Sequence, residues 1–337
     1  MFLSASLCGC IKEDLSGCPT SGTLNLALSY TMHNTEDADG NPADLFAQQV
    51  HQVEVFVFDA QGRWVKTVTD QVSPSSRASR ASATYLKPIE LPAGEYQFVV
   101  WGNRSDDETV LSGTERLETG RVSLRQLETA DHVTMLSDSL FHGMAAQTVT
   151  VKNNEEQTVP VSLTKDRNDV RLVVRYRAQG QTDVSTYPVP ASQTTAYITD
   201  SNGAYDFTNA VASTQTFTYQ PGRFAPKYDK LFHGELPEGS YPTEQDYCYV
   251  ADFSCLRLMK DDTDARIVVK RKDEEVYNKP LMELITRIDK YRTQEALDRE
   301  DRFLMELLLE YDPADANAVI SITINGWKLV DRDIDLE

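Results

Sequence analysis

No run of apolar residues in the 337-residue chain approaches the ~18–20 that carry a helix across a bilayer. Its densest run, Phe303 to Leu309, is interrupted by Glu306. A membrane-spanning helix is therefore not expected. Cysteine is scarce: Cys8, Cys10, Cys18, Cys248 and Cys255 are all there is, with no C-x-x-C pair, which argues against a disulfide scaffold or a structural zinc site. Positive charge is also in deficit. Lys and Arg number 33 against 52 Asp and Glu, a net −19, and that sign repels phosphate backbones and argues against a nucleic-acid partner. Catalytic signatures are missing: there is no H-E-x-x-H pair, G-x-S-x-G elbow, Walker loop or G-x-G-x-x-G fingerprint. His33, His51, His132, His142 and His233 stand apart from one another and from cysteine at ligand spacing, so each is read as structural. No enzyme, cofactor, metal or small-molecule substrate is expected.

What the chain does contain is an ordinary globular composition, 40% hydrophobic and 25% charged. At ~150 residues per domain its length suggests two domains. From Thr23 onward the pattern is mostly period two. Leu24, Leu26, Leu28 and Tyr30 alternate with polar or small residues, and Val53, Val55 and Val57 alternate with Glu54, Phe56 and Phe58, as strands require. Further strands are expected at 64–68, 85–91, 96–101, 148–151, 158–163, 170–176, 196–199, 217–219, 247–253, 266–270, 303–311, 319–324 and 328–336. Many short strands between Gly, Pro and Asp turns point to β-sandwiches. Helical signal is sparse. Pro280 precedes Leu281, Leu284, Ile285, Ile288 and Tyr291, spaced for one amphipathic helix, and Val122 to Leu127 suits a second, shorter one.

An ordered set of motifs recurs. A strand ending in Tyr30 is followed by Asp59-x-x-Gly62 and Leu91-Pro92-Ala93-Gly94-Glu95-Tyr96. A strand ending in Tyr176 is followed, at nearly the same spacing, by Asp200-x-x-Gly203 and Leu236-Pro237-Glu238-Gly239-Ser240-Tyr241. Asp-x-x-Gly closes a hairpin, and Leu-Pro-x-Gly-x-Tyr turns through glycine into a new strand. The repeat suggests two copies of one sandwich, over 20–165 and 166–337, with 165–169 as a polar link and 1–19 as a leader and linker. The Ser/Ala/Arg-rich stretch Ser73 to Ala83 reads as an exposed, protease-sensitive loop.

Three acidic spots are candidate sites. Asp37-x-Asp39-Gly40-Asn41 hints at a calcium loop, but the glycine comes early, Pro42 interrupts, and the twelfth position is Gln48; a surface loop is the simpler reading. Asp261, Asp262 and Asp264 read the same way. Asp138-Ser139-Leu140 resembles a three-residue acceptor for bacterial O-glycosylation, against the alternative of a plain turn.

The N-terminal stretch, Met1 to Gly9, is short, apolar and free of Lys and Arg, like the tail of a signal peptide. Leu7-Cys8-Gly9-Cys10 resembles a bacterial lipobox, in which Cys10 would become the mature N-terminus and carry the lipid; the competing reading makes both cysteines ordinary residues of a frayed end. The polar run Ile11-Lys12-Glu13-Asp14 after Cys10 resembles the acidic tag of surface-exposed lipoproteins in Bacteroidales. At ~0.8 kcal/mol per buried methylene, two or three acyl chains anchor a protein durably.

Cys10 to Pro19, Val55-Phe56-Val57-Phe58-Asp59, Leu91 to Tyr96 and Val99-Val100-Trp101-Gly102-Asn103 together resemble the FimB-type fimbrillin-associated anchor family. So do Leu297-Asp298-Arg299-Glu300-Asp301-Arg302-Phe303 and Ile322-Thr323-Ile324-Asn325-Gly326-Trp327. The resemblance implies an all-β protein of two tandem transthyretin-like sandwiches with one short helix inserted in the second. It also implies an outer-membrane, surface-exposed lipoprotein that anchors a fimbria and ends or regulates its assembly. Its partner would be a fimbrial shaft subunit bound by β-strand addition. In such fimbriae an arginine-specific protease removes the first strand of shaft subunits. Here the first arginine after Cys10 is Arg63, beyond two expected strands, so this chain is expected to keep its lipid and its first strand. The tail from Lys328 to Glu337 is either the last strand of the second sandwich or a donated strand filling a partner's pockets with Val330, Ile334 and Leu336. A lipid-tethered adhesin or glycan-binding stalk or tip component is the alternative function. It would expose Trp64, Trp101 or Trp327 as platforms, whereas their positions on strands favour core packing.

Overall fold

The computed structural model describes residues 21–72, 85–127, 132–133, 136–178, 193–213, 215–225, 248–311 and 318–329. Among them the chain forms twenty-one strands and three short α-helices, an all-β fold. The first strand, β1 (Ser21–Ser29), lies between β4 (Tyr85–Pro92), antiparallel to it, and β10 (Glu156–Lys165), parallel to it. The facing layer runs β3 (Trp64–Gln71), β2 (Gln52–Asp59), β5 (Gly94–Gly102), β8 (Phe141–Met144), with β9 (Val149–Val151) on the start of β5. β10 belongs to both layers: residues 156–162 pair with β1, and 163–165 pair with β8. The period-two pattern sets what lies between them. Leu24, Leu26 and Leu28 share one buried core with Val53, Val55, Val57, Phe98 and Val100, and each such side chain contributes ~1.5–3 kcal/mol on burial.

The second half repeats this pairing. β11 (Arg167–Ala178) lies between β16 (Cys248–Leu256), antiparallel, and β19 (Arg302–Tyr311), parallel. That sheet extends to β15 (Arg223–Ala225) on one side and through β20 (Ala318–Ile324) to β21 (Trp327–Leu329) on the other. A four-stranded sheet of β14 (Phe217–Tyr219), β12 (Thr194–Asp200), β17 (Arg266–Arg271) and β18 (Glu274–Pro280) completes it. β12 pairs with β14 and β17 as β2 pairs with β3 and β5. The third repeated motif does not fit this equivalence. Leu91 to Tyr96 joins β4 to β5, the counterpart connection from β16 to β17 is 257–265, and the motif at 236–241 falls before β16 in sequence and outside the described residues.

The helices depart from expectation. Residues 281–291 form not one helix but α2 (Leu281–Thr286) and a 3-10 turn (Asp289–Tyr291), separated at Ile288, whose backbone is extended. The apolar positions are right all the same: Leu281, Leu284, Ile285, Ile288 and Tyr291 are all buried. α3 (Gln294–Asp298) follows, its start capped by the Thr293 hydroxyl, and a four-residue α1 (Phe46–Gln49) lies in the first half. The helix expected at 122–127 is instead strand β7 (Arg121–Leu124), flanked by β6 (Thr109–Ser112) and β13 (Ala204–Asp206). Cross-strand pairing on both sides overrides a weak local preference. Cys248 and Cys255 are buried thiols at the two ends of a strand segment. Seven strand residues, at ~3.3 Å each, hold them too far apart to bond to each other.

Of the three tryptophans, Trp101 is fully buried as expected, but Trp64 and Trp327 are 50% and 57% exposed. Trp64 stands on an edge strand with its Nε1 donating to the Thr67 hydroxyl at 3.0 Å. Trp327 is the first residue after a two-residue Asn325-Gly326 turn, both with positive φ, the geometry of a tight hairpin.

Candidate functional site

The two halves meet over an apolar and a polar surface. The inner faces of β2 and β5 serve the first core, leaving Phe56, Phe58, Val99 and Trp101 on the outer face, where they join the second core. Phe207 of the second half fills that face. Its ring centroid lies 4.9 Å from Phe56, 5.9 Å from Phe58 and 6.3 Å from Trp101. Its carbonyl accepts a hydrogen bond from His142 Nε2 at 3.0 Å. A side chain at Gly120 would come within 2.5 Å of that ring, so the glycine is needed for the approach. β13 brings Phe207 there by pairing with β7, making one three-stranded sheet from both halves. Burial lowers the His142 pKa to about 4, keeping the ring neutral.

The link expected to be polar is polar but buried. β10 ends at Lys165 and β11 begins at Arg167, with Asp166 between them wholly inaccessible. Its Oδ1 accepts from Asn209 Nδ2 at 3.0 Å and faces Arg257 Nη1 at 3.6 Å. Burial raises its pKa to about 7, against the pull of Arg257. Asn168 ties the same strand to neighbouring loops, donating to Glu300 O and accepting from Leu258 N, each at 2.8 Å. Nearby, burial and the Asp262 carboxyl raise Asp200 to about 9. Asp262, read from sequence as surface decoration, thus meets a buried partner while capping its own loop through Asp264 N and Ala265 N.

Beside this link opens a cleft of about 760 Å³ whose walls come from both halves. The first half contributes Gln48, Gln49, His51, Asp138, Ser139 and Lys165, and the second contributes Arg167, Asp169, Lys290, Glu300, Arg302 and Trp327. The two C-terminal segments that carry the family resemblance build its far wall. Arg299 reaches across to the carbonyls of Thr31 and His33, at 3.4 and 3.2 Å. Asp301 accepts from Tyr30 OH at 3.3 Å and pairs with Lys165 at 3.2 Å. Asn325 Nδ2 donates to Tyr291 OH and Arg302 O, and its Oδ1 accepts from Leu304 N. Tyr291 OH in turn donates to Glu300, which also pairs with Lys290 at 2.8 Å. Trp327 projects from this fixed turn at the cleft.

Among the residues singled out from sequence, Cys10, Val330, Ile334, Leu336, His233, the 73–83 stretch and the 236–241 motif lie outside the described residues. Val330 directly follows β21 in sequence; this strand is an edge of the six-stranded sheet as described. The Asp37 carboxylate accepts from Asp39 N and Asn41 N, both at 2.9 Å, serving the loop's own turn. Asp138 pairs with His51 and receives Ser139 N, while Leu140 is buried. Phe207 and Arg257 carry no sequence signal of a seam, because the residues they meet, Phe56 and Trp101 for one and Asp166 for the other, are brought to them from far along the chain. Among the described residues no helix is long and apolar enough to cross a membrane.

The model of the family "Fimbrillin-A associated anchor proteins Mfa1 and Mfa2" matches residues 15–333. The fimbrial anchor protein Mfa2 from Porphyromonas gingivalis superposes with a TM-score of 0.67 at 19% identity, over 92% of this chain and 99% of its own. A Bacteroides thetaiotaomicron protein named as a candidate polysaccharide-binding protein gives 0.71 at 21% identity, over 93% and 99%. A candidate adhesin from the same organism gives 0.68 at 22% identity, over 94% and 99%. No curated protein sequence matches the chain significantly.

Proposed function

Because the chain belongs to the fimbrillin-A associated anchor family, a family of the fimbriated cell surface, we propose that it is a non-catalytic outer-membrane lipoprotein. In this reading Cys10 carries the lipid, and the body holds a fimbria at the surface and ends its assembly. The observation that supports it most is the position of β1. Leu24, Leu26 and Leu28 are wholly buried, and the strand is hydrogen-bonded along both edges, to β4 and β10. The first arginine after Cys10 is Arg63, in the turn after β2. A cut there would remove β1 and β2 together and open the first core, so processing of the kind that readies a polymerising subunit has no suitable site. A chain that keeps β1 has no vacant groove at that place for another subunit's strand, as befits the end of a polymer. The shaft subunit would instead be joined by β-strand addition, with Val330, Ile334 and Leu336 as pocket-filling residues if the tail is the donated strand.

The test is intact mass and surface proteolysis of the protein from its native host, compared with Cys10→Ala. A lipid-modified mass starting at Cys10, retained with assembled fimbriae and lost in the variant, is expected. An unlipidated N-terminus created after an arginine would mark a polymerising or tip subunit and overturn the reading. The exposure of Trp64 and Trp327 favours a second reading, a lipid-tethered adhesin or glycan-binding component.

A further inference from the structure

We propose that the cleft at the seam binds a neutral oligosaccharide, with the Trp327 indole as its stacking face. This rests on the second reading above, to which it gives a site and a ligand class, and it is independent of lipid anchoring. Three observations carry it. First, a 57% exposed indole opens on a cleft of about 760 Å³, within the volume range of small-ligand sites. Second, the indole's mount is fixed. The Asn325-Gly326 turn is tied by three hydrogen bonds of the Asn325 side chain with the 3-10 turn and β19, so the backbone that carries the ring is fixed before any ligand arrives. Asn325 is thus a positioning residue.

The third observation selects the ligand. Lys165 pairs with Asp301, Arg167 with Asp169 and Lys290 with Glu300, while Asp138 faces the His51 ring. Arg302 also faces Asp169 at 3.8 Å. The walls carry four Lys or Arg and four Asp or Glu side chains, so the cleft has no net charge to hold an ion, and a chain of net −19 repels uronates and other acidic sugars. Pairing does not exhaust hydrogen bonding, however. A carboxylate has about four lone-pair sites and a guanidinium five donors, and the Gln48 and Gln49 amides and Ser139 hydroxyl lie on the opposite wall. Compensated charges that still donate and accept suit a ligand whose hydroxyls do both. An exposed aromatic face beside them suits the C–H surface of a pyranose ring.

The experiment uses the full chain carrying Trp64→Phe, which removes the other exposed indole, so that accessible emission comes from Trp327. Maltotriose, cellotriose, chitotriose and mannotriose are titrated to millimolar concentration while emission and acrylamide quenching are followed. At least one is expected to shift the emission saturably and to shield the indole from acrylamide. For that sugar, calorimetry should find Trp327→Ala about tenfold weaker, Trp327→Phe intermediate, and Trp64→Phe unchanged, with far-UV circular dichroism identical throughout. The proposal is overturned if none of the four sugars produces a saturable shift, if Trp327→Ala binds as the parent does, or if Trp64→Phe abolishes binding. Any of these leaves the Cys10 test untouched, so the two readings fail separately.

Discussion

Phe207→Ala is the sharpest perturbation of the seam. The ring is fully buried among Phe56, Phe58 and Trp101 with centroids 4.9 to 6.3 Å away, and Phe→Ala in such a site costs about 3–5 kcal/mol. Folded proteins keep only about 5–15 kcal/mol in all, so the variant should lose a large share of its stability. The loss should also have a direction. Phe207 belongs to the second half but packs on the outer face of the first, whose inner core does not include it. The cavity therefore opens between the halves and leaves Leu24, Val55 and Phe98 packed. In urea, Trp101 fluorescence should report the seam opening before far-UV circular dichroism reports loss of strands, whereas the parent should show coincident transitions. Gly120→Ala crowds the same ring and should reproduce the separation by overpacking, since its Cβ would lie 2.5 Å from the ring. Coincident transitions in Phe207→Ala with a loss under about 1 kcal/mol would refute the idea that this ring joins the halves.

Three further outcomes are expected. Asp200, raised to about 9 by burial and Asp262, holds a proton in the folded state that an unfolded carboxyl releases near pH 4. Its contribution to stability therefore falls as pH rises through that window, by at most about 1.4 kcal/mol per unit. The thermal midpoint of Asp200→Asn should gain on the parent between pH 5 and 9, and a difference independent of pH would refute the buried acid. His142 carries the opposite sign. Lowered to about 4 by burial, it contributes fully above its unfolded value near 6.5 and loses that contribution as pH falls toward 4. His142→Gln should therefore lose less stability than the parent between pH 7 and 4.5, and equal losses would count against it. Arg299→Ala removes two hydrogen bonds to the carbonyls of Thr31 and His33. It should cost about 1–3 kcal/mol and speed amide exchange around residues 31–35; unchanged exchange would show that the contact does not hold the halves.

The strands were legible where alternation was strong. β1, β11 and β19 set every second residue into one core, and β2 and β5 set alternate residues into two cores, one on each face; that period is written in Leu24-Leu26-Leu28 and in Val53-Val55-Val57. Strands β6, β8, β13, β15 and β18 were missed because they are short or polar and exist through their partners: β13 is three residues held by β7 and an isolated bridge. The broken helix at 281–291 follows a similar rule. Its apolar spacing reports which residues are buried, and it cannot report that Ile288 is pulled into extended backbone between two helical turns. Polarity at 165–169 reads as a solvated link in one dimension. In three dimensions Asp166 and Asn168 are buried because Arg257, Asn209 and Glu300 reach them from residues 40 or more apart in sequence, a distance no local pattern spans.

The segments that resemble an anchor family turn out to be mostly joinery. Asn103 accepts His51 N and donates to Gln49 O, tying β5 to the end of α1. Arg299 and Asp301 hold the second half to the end of β1, Asn325 locks the last described hairpin onto β19, and Leu297, Phe303, Ile322 and Ile324 are core. Each of these side chains has a structural task that accounts for it. Trp327 stands in the same run, on a turn held by three hydrogen bonds of the Asn325 side chain, and more than half its surface faces solvent beside the cleft. A large indole left mostly outside the core gains little from burial, and a side chain at Gly326 before it would meet nothing within 4 Å, so the turn itself stands clear of the body. The residue unaccounted for by folding is therefore the one through which the cleft should meet its ligand.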